Sequence, residues 1–521
     1  MGGGLLNLVA NGNQNIILNG NPTKTFFKCT YAKYTNFGLQ KFRIDYKGSR
    51  TLRENSESNF SFKVPRYADL LMDTYLVVTL PTIWSPIYQD KVVTTIFREY
   101  QFKWIKHIGA QMIKRVRFTV GGQTIQEYSG QHMHNIVERD FDDSKKELYY
   151  KMIGHVPEIY DPENAYENDG KYPNADSSDD AAPSIRTRKL YIPLNTWFTM
   201  ASKMAFPLAS LQYNELNIEI DIRPICELFV TKDVNDPTTK KGHYKPNFNI
   251  PEYQLQQFLH PNNSNNSDMR TEWNADIHLI STYAFLSEDE VRVFAAKEQK
   301  YLIKQSYTHL FHEIHGPKKL KIDSMGLVAN FTWFFQRSDV NERNEWSNYT
   351  NWVHDKFPTE VVPSTKKDHN NDIIYITDDY TPENEKTIMK SWGVLFDGKY
   401  RENMLDVGVL EYIDKYARSS GNGPEGQYFY NFGLRTDPTD FQPTGAVNLN
   451  KFKDIEFEID VFPPPPNSQQ ISVVCNAVGD PIGITKSVWD LYKYNYTLTV
   501  MEERYNILTF SSGNASLAYA R

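Results

Sequence analysis

"IEIDIRP", residues Ile218 to Pro224, returns 239 positions later as "FEIDVFP", Phe457 to Pro463. Both read apolar, Glu, Ile, Asp, apolar, any residue, Pro. In the wider phrase "LNIEIDI", Leu216, Ile218, Ile220 and Ile222 alternate with Asn217, Glu219 and Asp221. In "IEFEIDV", Ile455, Phe457, Ile459 and Val461 alternate with Glu456, Glu458 and Asp460. A period of two predicts strands with the aliphatics on a buried face and the acids in water, and the proline beyond has no N–H for the ladder. The parallel continues outward. "LYIPLNTW" precedes the first copy and "YFYNFGL" the second, with Tyr191 and Tyr430 again 239 apart. A polar, turn-rich loop follows each copy (231–272 and 464–488), then one long strand-like run, "ADIHLISTYAFL" or "YKYNYTLTVMEERYNILTF". This ordered repetition predicts two copies of one β-domain, joined near residues 287–300.

Size agrees: 521 residues suit two domains of about 200–250 residues each. Other strand signals support an all-β chain. "VRFTVGGQTIQEY" predicts a hairpin in which Val116, Phe118 and Val120 share a face and Gly121-Gly122 make the turn. "LMDTYLVVTLP" (71–81) and "MGLVANFTWFF" (325–335) are further strand candidates. The clearest helix signal is "SEDEVRVFAAKEQKYLI", with Ser287 as N-cap and Glu290 three residues on. The acid-rich segment 157–182, with eight acids and one lysine, and the polar stretch 339–390 read as surface insertions.

A net charge of −7 with 23% charged residues argues against non-specific nucleic-acid binding, which needs a concentrated basic surface. Three scattered cysteines, Cys29, Cys226 and Cys475, give neither a disulfide framework nor a zinc spacing and suggest a reducing compartment. The opening "MGGGLLNLVANGNQNIILNG" has no basic n-region, and no apolar run approaches the ~18 residues of a membrane span. A soluble, acidic chain made in the cytosol is expected.

The strongest chemical motif is "HMHNIVE": His132, His134 and Glu138 reproduce the HxHx3E core of a cupin metal site. Its surroundings do not follow. Gln126 stands where a glycine is required, and in the partner motif Pro424 and Gly426 are met but Phe429 replaces the histidine. A polar helix or turn after the hairpin is the favoured account. His309, His312 and His315 in "HLFHEIHG" are spaced by three, so His312-Glu313-Ile314-His315 is one residue short of HExxH and its histidines do not stand at i and i+4. A calcium loop around Gly170 would need a carboxylate at Ala165. No nucleophile elbow, phosphate loop or dinucleotide fingerprint appears. Sequons at Asn59, Asn262, Asn265, Asn330, Asn348, Asn495 and Asn514 are what an Asn-rich chain produces by chance. No catalytic, cofactor-binding or metal-ligating residue is assigned, and an enzyme is not expected.

Several stretches together resemble the major capsid proteins of nucleocytoplasmic large DNA viruses, of the giant-virus, mimivirus-like or iridovirus-like kind. They are "GGGLLNLVANGNQNIILNGNPTKTFFKCTYAKYTNFG", "HIGAQMIKRVRFTVGGQTIQEYSG", "LYIPLNTWFTMASKMAFPLASLQYNELNIEI", "YAFLSEDEVRVFAAKEQKYLIKQ", "QPTGAVNLNKF" (with Gln442, Pro443, Gly445 and Asn448) and "YNILTFSSGNASLAYAR". The resemblance implies a double jelly roll, two eight-stranded β-sandwiches in tandem with long loops and few short helices. Its parts would be an N-terminal arm (1–24), a first jelly roll (25–286), an interdomain helix (287–300) and a second jelly roll (301–521). It further implies a homotrimer of near-hexagonal outline tiling the icosahedral outer shell of a virion, assembled in the host cytoplasm. Partners would be further copies of the chain, minor capsid and penton proteins, surface glycans and a host receptor, with no cofactor and no nucleic acid. Two other classes fit the residues alone. One is a carbohydrate-binding β-sandwich, although the aromatics lie in strands rather than loops; the other is a bicupin-like metalloprotein.

Overall fold

A computed structural model describes the chain apart from residues 1–2, 11, 49–50, 86, 90–96, 167, 169–171, 174–181, 234–242, 260–272, 357–361, 368–372, 377–384, 440–441, 467–471, 477–478, 486–491 and 520–521. The repeated phrase forms two strands that occupy the same place in two similar sandwiches. The first sandwich uses β1 (Gly38–Ile44), β2 (Ser58–Lys63), β3 (Leu70–Leu80), β4 (Ile113–Val120), β5 (Gln123–Tyr128), β6 (Arg188–Pro193), β7 (Leu216–Ile222) and β8 (His278–Phe285). The second uses β9 (Gln299–Ile314), β10 (Lys318–Lys321), β11 (Leu327–Arg337), β12 (Met389–Phe396), β13 (Lys399–Asp406), β14 (Gln427–Asn431), β15 (Ile455–Val461) and β16 (Tyr496–Ser511).

Sheet order makes the duplication explicit. In the first sandwich β1-β8-β3-β6 form one sheet and β2-β7-β4-β5 the other; in the second the orders are β9-β16-β11-β14 and β10-β15-β12-β13. Every strand of the second set sits where its partner eight places earlier sits in the first. All pairs are antiparallel, and the connections cross between facing sheets, which is the jelly-roll topology. The fold is a double jelly roll. Register is matched too: Ile218 pairs with Phe62 and Phe118, and Phe457 with Leu320 and Val394.

Alternation fills each interior. Phe60, Phe62, Val116, Phe118, Ile218 and Ile220 close the first core, and Phe331, Trp333, Trp392, Phe457, Leu498 and Val500 the second. The acids of the repeat do not all face water. Asp221 is only 6% exposed, because Arg115 reaches it with Nε at 2.7 Å and neutralises it within the sheet.

Gly121 and Gly122, at φ 57° and 83°, turn β4 into β5 as a double left-handed pair requires. The second sandwich has the same device in Asp397-Gly398, at φ 48° and 75°, between β12 and β13. The helix expected from Ser287 spans Glu288–Ala296; Ser287 has cap backbone geometry but its side chain makes no capping bond, and "QKYLI" enters β9 instead of extending the helix.

Extra strand pairs fall on the same two connections of each sandwich. Phe97–Trp104, between β3 and β4, pairs with Phe229–Asp233, between β7 and β8; Val362–Lys367 with Ile373–Ile376, and Ser472–Cys475 with Pro481–Thr485, occupy the equivalent connections of the second. The 157–182 segment is not a mere surface loop. Ile159 and Tyr172 are buried, and the Tyr172 hydroxyl donates to the Phe102 carbonyl at 2.7 Å.

Strands β9 and β16 are 16 residues long and pair along almost their whole length, which makes them about 50 Å long. Their distal ends leave the second sandwich and lie on the first: Phe510 meets Phe206 at 5.1 Å, Tyr301 meets Trp197 at 5.7 Å, and Ile303 and Leu508 join the first core.

The junction between the sandwiches as candidate functional site

A helix, α1 (Gly130–Asp140), follows the first hairpin directly, started by Ser129, whose hydroxyl accepts from the His132 N–H at 3.1 Å. Its sequence, GQHMHNIVERD, is polar, yet all of it but Gln131 is buried, because the second sandwich covers it. Burying so many polar groups requires partners, and these come from across the junction. Gln427 Nε2 donates to the Asn135 carbonyl at 2.9 Å, the Tyr349 hydroxyl donates to Asn135 Oδ1 at 3.0 Å, and the Gly421 N–H donates to the Arg139 carbonyl at 2.9 Å.

Arg139 is the hub. Its guanidinium donates to Asp140 at 2.7 Å, to Glu503 of β16 at 3.0 Å, and to Asn330 and Thr332 of β11 at 3.2 and 2.9 Å. Burial opposes the charge on Arg139, and the carboxylates of Asp140 and Glu503 overcome it, holding the pKa above the ordinary value. Burial would by itself raise the Glu503 carboxyl, but Arg139 beside it brings it down to about 2. Burial raises the Asp140 carboxyl, against the pull of the same guanidinium. Such an arrangement binds one sandwich to the other.

The helix also decides the fate of the HMHNIVE motif. Residues two apart on a helix face different ways, so the structure separates His132 from His134. His132 Nδ1 lies 3.3 Å from Ser306 Oγ of β9, and burial lowers its pKa to about 4. His134 and Glu138, one turn apart, share a face, with Nε2 and Oε1 3.7 Å apart. His107, not singled out from the sequence, joins them: its ring lies 4.3 Å from that of His134, and His155 stacks on it at 3.7 Å. A histidine 27 residues upstream carries no local signal that it will meet α1.

The remaining candidates scatter. His309 and His312 lie on β9 and bond to Glu502 and Thr497, while His315 packs on Tyr492. Phe429 is buried in β14, and Gly426 lies in the turn before it. Ala165 is buried; Gly170 lies outside the described residues. Of the sequon asparagines, Asn330 and Asn348 are buried, and Asn262 and Asn265 lie outside the described residues. Cys226 is buried, and all three cysteines are free thiols. Among the described residues, no helix is long and apolar enough to cross a membrane.

The first residue of α1 gives a sharp test of this packing. A Cβ on Gly130 would lie 2.0 Å from the Ala110 carbonyl oxygen and 2.6 Å from that of Ile113, both backbone atoms. Gly130→Ala is expected to destabilise the chain by about 1–3 kcal/mol, read as a lower urea midpoint at unchanged slope.

Two sandwiches of matching strand order, joined by a buried ionic helix, define a double jelly-roll β-protein. Comparison with known proteins agrees. Residues 25–250 match the family described as "Major capsid protein N-terminus". The major capsid protein of Phaeocystis pouchetii virus is 30% identical over 310 residues, 58% of this chain and 52% of that protein. That of Paramecium bursaria Chlorella virus 1 is 22% identical over 532 residues, the full length of both. The chain spans about half the length of the first of these relatives (52%). Among solved structures, the PBCV-1 virus capsid superimposes with a TM-score of 0.63 at 17% identity, over 95% of this chain and all of that one. The chain is a relative of the major capsid proteins of large DNA viruses.

Proposed function

We propose that the chain is a major capsid protein whose work is self-association: three copies form a pseudo-hexagonal capsomer, and capsomers tile an icosahedral shell. The observation that carries this reading is an unequal pair of helices. After the first hairpin, α1 is buried on β9, β11 and β16 of the second sandwich. After the second hairpin, residues 407–418 are again helical, but Tyr412, Ile413 and Tyr416 are 73%, 59% and 93% exposed. The strands equivalent to α1's seat are β1, β3 and β8, and they carry exposed Leu39 and Phe285.

Each sandwich therefore has a helical plug and a sheet face, and within one chain only one plug has found a face. Threefold closure satisfies the others, the 407–418 helix of each copy lying on the β1–β3–β8 face of the next. Three chains of two similar sandwiches then present six wedges. We assign residues 25–286 and 301–521 to these wedges, 287–300 to their connection, and 1–24 to an arm. That arm exposes Leu5, Leu6, Leu8, Ile17 and Leu18, an apolar strip suited to minor capsid proteins beneath the shell. Assembly in the host cytoplasm, penton contacts, surface glycans and receptor contacts through the strand-connecting loops complete the proposal.

Mass measurement in solution tests it. The wild-type chain should elute near three times 60.6 kDa, and Tyr412→Asp with Tyr416→Asp should release folded monomers at micromolar concentration. A wild-type monomer would overturn the capsomer reading; trimers unaffected by the double substitution would overturn this interface alone.

A further inference from the structure

We propose that His107, His134 and Glu138 form a binding site for a divalent transition-metal ion, zinc-like in ligand preference, set where the first sandwich meets the second. The inference does not depend on the capsomer reading.

One ligand atom from each residue lies within 4.8 Å of the others. His134 and Glu138 project from successive turns of a buried, capped helix, so their relative placement is fixed, and the pair is already at 3.7 Å. A tetrahedral zinc with bonds of about 2.0–2.2 Å sets its ligand atoms about 3.4 Å apart, so small side-chain rotations close the site. His107 is held from two sides. Its backbone takes the left-handed conformation (φ 52°, ψ 39°) at the start of the short helix Ile108–Gln111, and its ring is sandwiched against His155, which stacks in turn on Tyr160 at 4.5 Å.

The outer contacts are those of a ligand set. His107 Nδ1 lies 3.2 Å from Ser347 Oγ of the second sandwich; donating that proton leaves the Nε2 lone pair for a metal. The Tyr150 hydroxyl donates to Glu138 Oε1 at 2.6 Å, and Lys146 Nζ stands 3.7 Å from Oε2 while donating to the Asn422 carbonyl at 3.0 Å. Buried His134 Nδ1 has no hydrogen-bond partner among the described residues. Two imidazoles and one carboxylate favour zinc, nickel, copper or ferrous iron over calcium or magnesium, which take all-oxygen sites. Because Ser347 comes from the other sandwich, a bound ion would also clamp the junction.

The test uses the full-length protein in its native assembly, stripped with chelator and titrated with cobalt(II), followed by visible absorption and by metal analysis after zinc displacement. One cobalt per chain with the spectrum of a low-symmetry nitrogen–oxygen site is expected. His134→Ala should abolish it, and Glu138→Gln, which preserves an acceptor for Tyr150, should weaken binding at least ten-fold. Ser347→Ala should weaken it about ten-fold as an outer-contact change. His132→Ala, on the same helix but another face, and the exposed His312→Ala should leave it intact. Sub-stoichiometric uptake, uptake that survives both His134→Ala and Glu138→Gln in folded protein, or loss on His312→Ala would each overturn the site.

Discussion

Arg139→Ala is expected to cost about 3–5 kcal/mol of folding stability, because it leaves Glu503 and Asp140 as buried carboxylates with no cation between them. Arg139 bonds two acids and two neutral side chains from three segments, so no neighbour can swing in to replace it. The loss should appear in urea unfolding at neutral pH. Its pH dependence is a second signature. The folded Glu503 carboxyl lies near about 2, against about 4.3 in an unfolded chain. A depressed folded pKa gives stability that is fully present above the unfolded value and is lost as pH falls toward the folded one. Asp140, raised by burial, works in the opposite sense, gaining stability on acidification. In Arg139→Ala the acid-induced loss belonging to Glu503 should vanish, so wild type and variant converge as pH drops below 4. Curves that stay parallel to low pH would show that the ion pair contributes nothing.

Trp333→Ala should be comparably severe, about 3–5 kcal/mol, through loss of apolar burial and the cavity left behind. Trp333 is wholly buried, stacks on Trp392 at 4.7 Å and meets Phe457, of the repeated phrase, at 5.6 Å. It bridges the two sheets of the second sandwich, β11 on one side and β12 and β15 on the other. Trp333→Phe is the informative companion. The indole N–H of Trp333 has no partner among the described residues, so phenylalanine removes a buried, unbonded donor while keeping most of the ring. It should cost well under half as much as alanine. Equal losses from both substitutions, measured by urea midpoint, would mean that the stacking geometry rather than the volume governs the site.

The duplication was legible because each sandwich places the same half-buried strand between the same neighbours, and alternation along that strand is a local property. The first hairpin was legible for the same reason, since two glycines at left-handed positions announce the turn. Asp397-Gly398 is an equally strong turn signal between β12 and β13, recoverable from the sequence by the same rule. What could not be read were the features made by distant segments. Nothing local to "GQHMHNIVERD" says that a polar helix will be buried, because its partners Asn330, Thr332, Tyr349, Gln427 and Glu503 lie some two to four hundred residues away. The HxHx3E spacing of His132 and His134 suits a strand, on which residues two apart share a face; the polar helix favoured from the sequence makes them diverge, and His107 stands beside His134 instead. Asp221 departs from simple alternation because Arg115, on the neighbouring strand, neutralises it. The 157–182 segment looked solvated by its acids, but its few apolar residues, Ile159 and Tyr172, anchor it.

The reach of β9 and β16 across both cores has a mechanical corollary. A long ribbon cemented into each half stiffens the waist, so thermal bending of one half against the other is suppressed. Any closed surface made from such rigid plates must place its curvature along the seams between plates, where contacts are renewable, rather than within them.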